Sequence, residues 1–258
     1  MARKRANTKD RAPGLAEAAT PLEAVAPRRD QVAVVICGGS GSYPDVCAGD
    51  KSCDNSANLI PPCAAYQWLL EDSESEFLLY LHDDVTILED GWRDRIVALF
   101  DAHPDCVVVG LGGAPILGHP DLYKKPYDIW NMARSGYASN QSDWQTHGAR
   151  EQGTRRVAVV DAFCMAVRTA WLKAIGGWPV AHLTHHCLDL WICLEAARRG
   201  KEVWMTGVEC THHGGGSSTK PIYREAKWLR GGSLESDHQE PHRWLFNEYR
   251  DVLPVVIP

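Results

Sequence analysis

The chain has 258 residues, 27 Lys+Arg against 33 Asp+Glu for a net charge of −6, and 45% hydrophobic with 9% aromatic residues. This is an ordinary globular composition, long enough for one large domain or two small ones, and its negative balance argues against tight nonspecific nucleic-acid binding. No run approaches the roughly 18 apolar residues of a membrane span, and Met1-Ala-Arg-Lys-Arg has no apolar stretch behind it, so neither a spanning helix nor a secretory signal is expected and the expected compartment is cytoplasmic.

Residues 1–30 hold seven Lys/Arg and four acids, a local +3 that leaves −9 on the rest, with no aromatic residue. Such a segment buries too little surface to offset the entropy of ordering, so it is expected to be a disordered tail ahead of one folded domain over 31–258. The folded part opens on Val32-Ala-Val-Val-Ile-Cys37, a buried-strand pattern ending in Gly38-Gly-Ser-Gly-Ser42. Further strands are expected at Glu76–His82, Cys106–Leu111, Arg156–Val160 running on to Val167, and Glu202–Met205, with helices over 62–71, 91–103, 169–175, 188–199 and 241–249. Alternating strands and helices predict an α/β domain with a mostly parallel central sheet flanked by helices. The stretch 114–155 is too polar for core and too long for a passive connection, which suggests a binding loop or lid. Nine cysteines, an odd number with several inside apolar runs, fit reduced, buried thiols better than a disulfide framework.

Chemistry in open α/β sheets is sought beyond the carboxyl ends of strands. His82-Asp83-Asp84 has that position. Adjacent carboxylates beside an imidazole fit a hard divalent cation carrying a phosphate, although one Asp capping a turn and one in solvent is the simpler alternative. Thr211-His212-His213-Gly214-Gly-Gly-Ser217-Ser218 could add a ligand and backbone N–H groups for phosphate oxygens, or be a surface loop. His185-His186-Cys187-Leu188-Asp189 stands where a helix begins, and there Asp189 could simply favour the helix N-terminus.

Taken in order, Leu81-His82-Asp83-Asp84-Val85, Val160-Asp161-Ala-Phe-Cys164, Ile175-Gly-Gly-Trp178, the His186-to-Gly200 segment and His212-His-Gly-Gly-Gly-Ser-Ser218 resemble the family 2 glycosyltransferases of the GT-A fold, in particular the branch with a His-Asp-Asp metal motif. The resemblance covers about residues 62–218. It implies a Rossmann-like single domain that moves a sugar, by hexosyl transfer from a nucleotide-diphospho-sugar donor to an acceptor hydroxyl with inversion, dependent on Mn²⁺ or Mg²⁺. It further implies Asp84, then Asp83, with His212 as metal ligands, and Asp189 as general base. His82, Asp161, His186 and His213 fall near donor or acceptor. The acceptor could be a glycan, a lipid carrier, a protein, a small molecule or a modified nucleic acid. Two positions depart from the family pattern: Leu188 stands where a Glu is common, and Trp191 where a second Asp is common. The usual base-reading Asp has three candidates here, Asp45, Asp50 and Asp54. Two other classes compete: a metal-dependent hydrolase, and a non-catalytic nucleotide-sugar or glycan-binding module. Trp130, Trp144 and Trp178 lie in or near loops where a sugar could stack.

Overall fold

The structure, a computed structural model, describes residues 29–38, 42–55, 57, 60–118, 137–138, 149–213 and 224–258. The expected tail, all but its last two residues, lies outside them, as do Trp130, Trp144, most of the 114–155 stretch and the glycine-rich run after His213.

The strands in chain order are β1 (Val32–Cys37), β2 (Lys51–Cys53), β3 (Phe77–Leu81), β4 (Val85–Ile87), β5 (Cys106–Gly110), β6 (Gly112–Ala114), β7 (Ile116–Leu117) and β8 (Tyr137–Ala138). They continue with β9 (Ala149–Arg150), β10 (Thr154–Val157), β11 (Val159–Val160), β12 (Cys164–Arg168), β13 (Glu202–Thr206), β14 (Cys210–His212) and β15 (Val255–Val256). The helices among the described residues are α1 (Pro62–Glu71), α2 (Trp92–Ala102), α3 (Thr169–Ala174), α4 (Leu188–Arg198) and α5 (Leu234–Glu248).

A seven-stranded sheet runs β10-β13-β5-β12-β3-β1-β2, with small sheets β11-β6-β8-β9, β14-β4 and β15-β7 beside it. This is the GT-A-like α/β architecture, but the central sheet is mixed rather than mostly parallel. The pairs β1/β2, β1/β3 and β13/β5 are parallel, whereas β12 is antiparallel to both β3 and β5, and β10 is antiparallel to β13. The expected strand from 156 to 167 is three short strands with different partners, β10 on β13, β11 on β6 and β12 between β3 and β5, with a turn at 161–163 between β11 and β12.

Side-chain alternation along β1 and β3 feeds two cores. Val32, Val34, Phe77, Leu79 and Leu81 pack toward Trp92, Ile96 and Phe100 of α2, where Phe77 stacks on Phe100 with centroids 4.3 Å apart. Ala33, Val35, Leu78 and Tyr80 pack toward α1 and α4 on the other face. Trp178, only 2% exposed, lies in this second core against Tyr80 and Trp191, so it is not a sugar platform. All nine cysteines are free thiols and seven are buried, as their apolar settings suggested.

Two features depart from the local sequence pattern. Helix α5 starts seven residues ahead of the expected Pro241, because Ser233 Oγ accepts the Ser236 N–H at 3.1 Å and caps the helix there. Pro241 then lies inside the helix, where it has no backbone N–H to donate to the turn before it. Asp50 is committed to the fold. Its carboxylate takes Arg93 at 3.1 and 2.8 Å and the N–H groups of Val34 and Cys47, with both charged side chains almost fully buried.

Candidate metal and carboxylate site

β3 is apolar throughout and ends at Leu81, so the chain leaves the sheet at His82 and turns through Asp83-Asp84 before β4 begins at Val85. β14 pairs antiparallel with β4 in a register that sets His212 opposite Val85, and the His213 N–H donates to the Asp84 carbonyl at 3.1 Å. That register carries a histidine from the far end of the chain to the end of β3. The ligand atoms of His82, Asp84 and His212 all lie within 4.8 Å of one another, the one such His/Cys/Asp/Glu group among the described residues that could hold a metal ion.

Within the group, His212 Nε2 lies 3.5 Å from Asp84 Oδ1, and its hydrogen bond holds the Asp84 carboxyl below the usual carboxylate range. Burial, with the neighbouring His212, pushes His82 down to about 4, so its imidazole is neutral at pH 7 and offers a lone pair. Two neutral-capable imidazoles and one carboxylate form a mixed nitrogen and oxygen donor set that fits a first-row divalent ion.

The geometry groups the expected residues differently. His82, expected beside the donor, joins Asp84 and His212, while Asp83 does not belong to the group. Asp83 turns instead toward Gly38, where φ is +137° and an added Cβ would meet Asp83 Oδ2 at 2.5 Å. The His213 side chain is exposed and only its backbone contributes.

The turn at 161–163 joins this group to a pair of buried acids. Phe163 accepts the His82 N–H through its carbonyl at 2.9 Å and lays its ring on His212, with centroids 4.9 Å apart and planes 21° from parallel. Asp161 Oδ1 accepts the Phe163 N–H at 3.2 Å, and Asp189 Oδ2 accepts the Ala162 N–H at 3.3 Å. The Asp189 side chain comes from the first turn of α4, which opens at Cys187 in the left-handed region, φ 66°, an uncommon conformation for a residue other than glycine. Asp189 is 2% exposed. Burial, and then the neighbouring Asp161, raise its carboxyl to about 7 even though Leu190 and Ala162 donate to it. Desolvation and like charge therefore outweigh the helix N-terminus, whose favourable effect on a carboxylate is about 0.3–1 kcal/mol.

His186 is drawn elsewhere. With His185 it faces the histidines of α5: the His185, His186, His238 and His242 rings follow one another at 4.7, 5.0 and 4.6 Å between centroids. Sequence reading passed over His238 and His242, although their spacing of four on one helix face was a usable signal.

No curated protein matches the sequence. Among solved structures, the chain is similar to one titled A197 from STIV, with 13% identity, a TM-score of 0.41, and coverage of 70% of this chain and 84% of that one. A family model described as glycosyltransferase-like matches residues 55–229, a span that contains β3, the turn at 161–163, Asp189 and His212. With two thirds of its length matched, the chain belongs to the glycosyltransferase-like family.

Proposed function

We propose that the chain transfers a sugar from a nucleoside-diphospho-sugar to an acceptor hydroxyl, with inversion at the anomeric carbon. The carrying observation is the gathering of His82, Asp84 and His212 at the end of β3 in a chain of this family. These three residues would hold a divalent ion, Mn²⁺ in preference to Mg²⁺, because two imidazoles suit the softer ion. When bound, the ion supplies Lewis-acid stabilisation of the diphosphate leaving group.

Asp189 is the general base. A carboxyl raised to about 7 is near the working pH, where it combines a usable unprotonated fraction with real proton affinity. In this reading it takes the acceptor hydroxyl's proton as that oxygen attacks the anomeric carbon, and the sugar–phosphate bond breaks on the opposite face. Asp161 acts as a positioning residue, through its repulsion of Asp189 and its hold on the turn. His213 lies beside Asp84 at the donor end, while His186 is left to the acceptor end. Of the candidates for reading the base, Asp50 is disfavoured because Arg93 and two backbone amides already occupy it.

The test is thermal stabilisation by UDP, GDP, dTDP and CMP, each with and without Mn²⁺, followed by product analysis with the sugar form of the nucleotide that binds. A shift for one nucleotide that needs the metal, together with a new glycoside, supports transfer. A metal-dependent shift with free sugar as the sole product points to hydrolysis, and binding with no turnover points to a binding module.

A further inference from the structure

Cys37 ends β1 and Cys53 ends β2, and the two are register partners across the parallel β1/β2 pair. Neighbouring strands lie about 4.8 Å apart, inside the roughly 4.4–6.8 Å between Cα atoms that a disulfide spans. Both side chains leave the same face of the sheet: Cys53 is buried in the core with Ala33 and Val35, and Cys37 packs against that core. The two thiols hydrogen-bond to each other, and the Gly38 N–H donates to the Cys53 carbonyl at 3.0 Å, which fixes the strand ends side by side. Asn55 Nδ2 also reaches the Cys37 sulfur, at 3.6 Å.

The two thiols differ in access. Cys37 is half-buried and Cys53 is 8% exposed, so a reagent meets Cys37 first. β2 is a three-residue strand at the edge of the seven-stranded sheet, held on one side only, so bringing the sulfurs from hydrogen-bond to bond distance displaces little. Cys164 and Cys210 are also neighbours, but both are 0% exposed and closed to reagents.

We propose that Cys37 and Cys53 form a dithiol that closes to a disulfide when the protein meets a low-molecular-weight disulfide. The Cys37 thiolate attacks one sulfur of oxidised glutathione and expels a glutathione thiolate. The Cys53 thiolate then attacks the Cys37 sulfur of that mixed disulfide and expels the second. Each protein thiol loses one proton and each glutathione thiolate takes one, so two protein thiols are oxidised and one glutathione disulfide is reduced to two thiols. Burial pushes the Cys37 thiol up to about 12, which keeps the thiolate scarce at pH 7 and the closure slow, a response to sustained oxidising conditions rather than to a brief pulse. The bond staples the ends of the segment 38–52, which holds Asp45 and Asp50, and it lies next to Gly38, against which Asp83 packs. The inference does not depend on the proposed sugar transfer, since the exchange uses neither the metal group nor Asp189.

The experiment incubates the reduced, full-length protein with oxidised glutathione at pH 8.5, alkylates the remaining thiols and maps the peptides by mass spectrometry. Two thiols should be lost to a Cys37–Cys53 linked peptide that dithiothreitol reverses, and the closed form should melt about 5 °C higher, because the bond closes a loop of about fifteen residues. Cys53→Ser should stop at a glutathione adduct on Cys37, and Cys37→Ser should leave Cys53 a free thiol. The proposal is overturned if both residues are recovered alkylated, if Cys37 is linked to another cysteine, if the linked peptide forms only in urea, or if the closed form melts below the reduced one.

Discussion

The ring of Phe163 lies nearly parallel on the imidazole of His212, 4.9 Å away, and the same residue's carbonyl accepts the His82 N–H. One residue of a three-residue turn thus orients two members of the candidate metal group, while its neighbour Ala162 donates to Asp189 and the charge of Asp161 raises the Asp189 carboxyl. Phe163→Leu keeps most of the apolar volume and removes the ring face. Supporting contacts of this kind are worth about 10–100-fold in metal affinity, so Mn²⁺ binding measured by calorimetry should weaken by at least about tenfold while thermal unfolding shows an intact fold.

His82, Asp84 and His212 converge and Asp83 does not. His82→Ala, Asp84→Ala and His212→Ala should therefore each abolish metal-dependent nucleotide binding, and Asp83→Ala should retain it. Titration of each variant with Mn²⁺ and the nucleotide decides the matter, and loss in Asp83→Ala alone would reverse the ligand assignment.

Asp189 gives a pH dependence whose sign is fixed. Its folded carboxyl titrates near 7 against an ordinary 3.8, so ionisation is penalised in the folded chain. The group opposes folding progressively as pH rises from about 4 to about 7, and the penalty is constant above that. Asp189→Asn removes it, so the variant should gain stability relative to the parent across that window, on the order of 4 kcal/mol at pH 8 and little at pH 4. Denaturant melts at the two pH values provide the measurement.

The same substitution has an opposite effect on activity. Transfer by the parent should rise with pH through about 7, whereas Asp189→Asn should be slower by about 10²–10⁴-fold and lack that rise. Donor binding should survive, because Asp189 lies outside the metal group. A variant that keeps the full rate would place the base elsewhere.

The Arg93–Asp50 pair tests whether Asp50 serves the fold rather than reading a nucleotide base. The pair is buried, bidentate and tied to the backbone of β1. Removing one partner strands the other charge, so Asp50→Ala should cost about 3–5 kcal/mol in urea unfolding. Nucleotide preference should be unchanged in whatever fraction stays folded.

What the sequence determined by itself was local. The apolar runs of β1, β3 and β5, the helix α4 with Gly200 after it, and the placement of His82-Asp83-Asp84 beyond a strand end are legible because pleat, helix period and stop signals act over a few residues. Tertiary structure decided the rest. His212 reaches Asp84 only through the β4/β14 register, and choosing His82 over Asp83 depended on the direction in which the chain turns past Gly38. The strand expected through 161 became the turn that joins His212 to Asp189, since β11 leaves the central sheet to pair with β6 and β12 re-enters it between β3 and β5. The start of α5 at Ser233, and with it the meeting of His186 and His238, depended on a cap that overrode the proline signal and on packing between segments some fifty residues apart. Periodicity constrains near neighbours, but convergence of side chains distant in sequence is set by strand register and core packing, which no local pattern encodes.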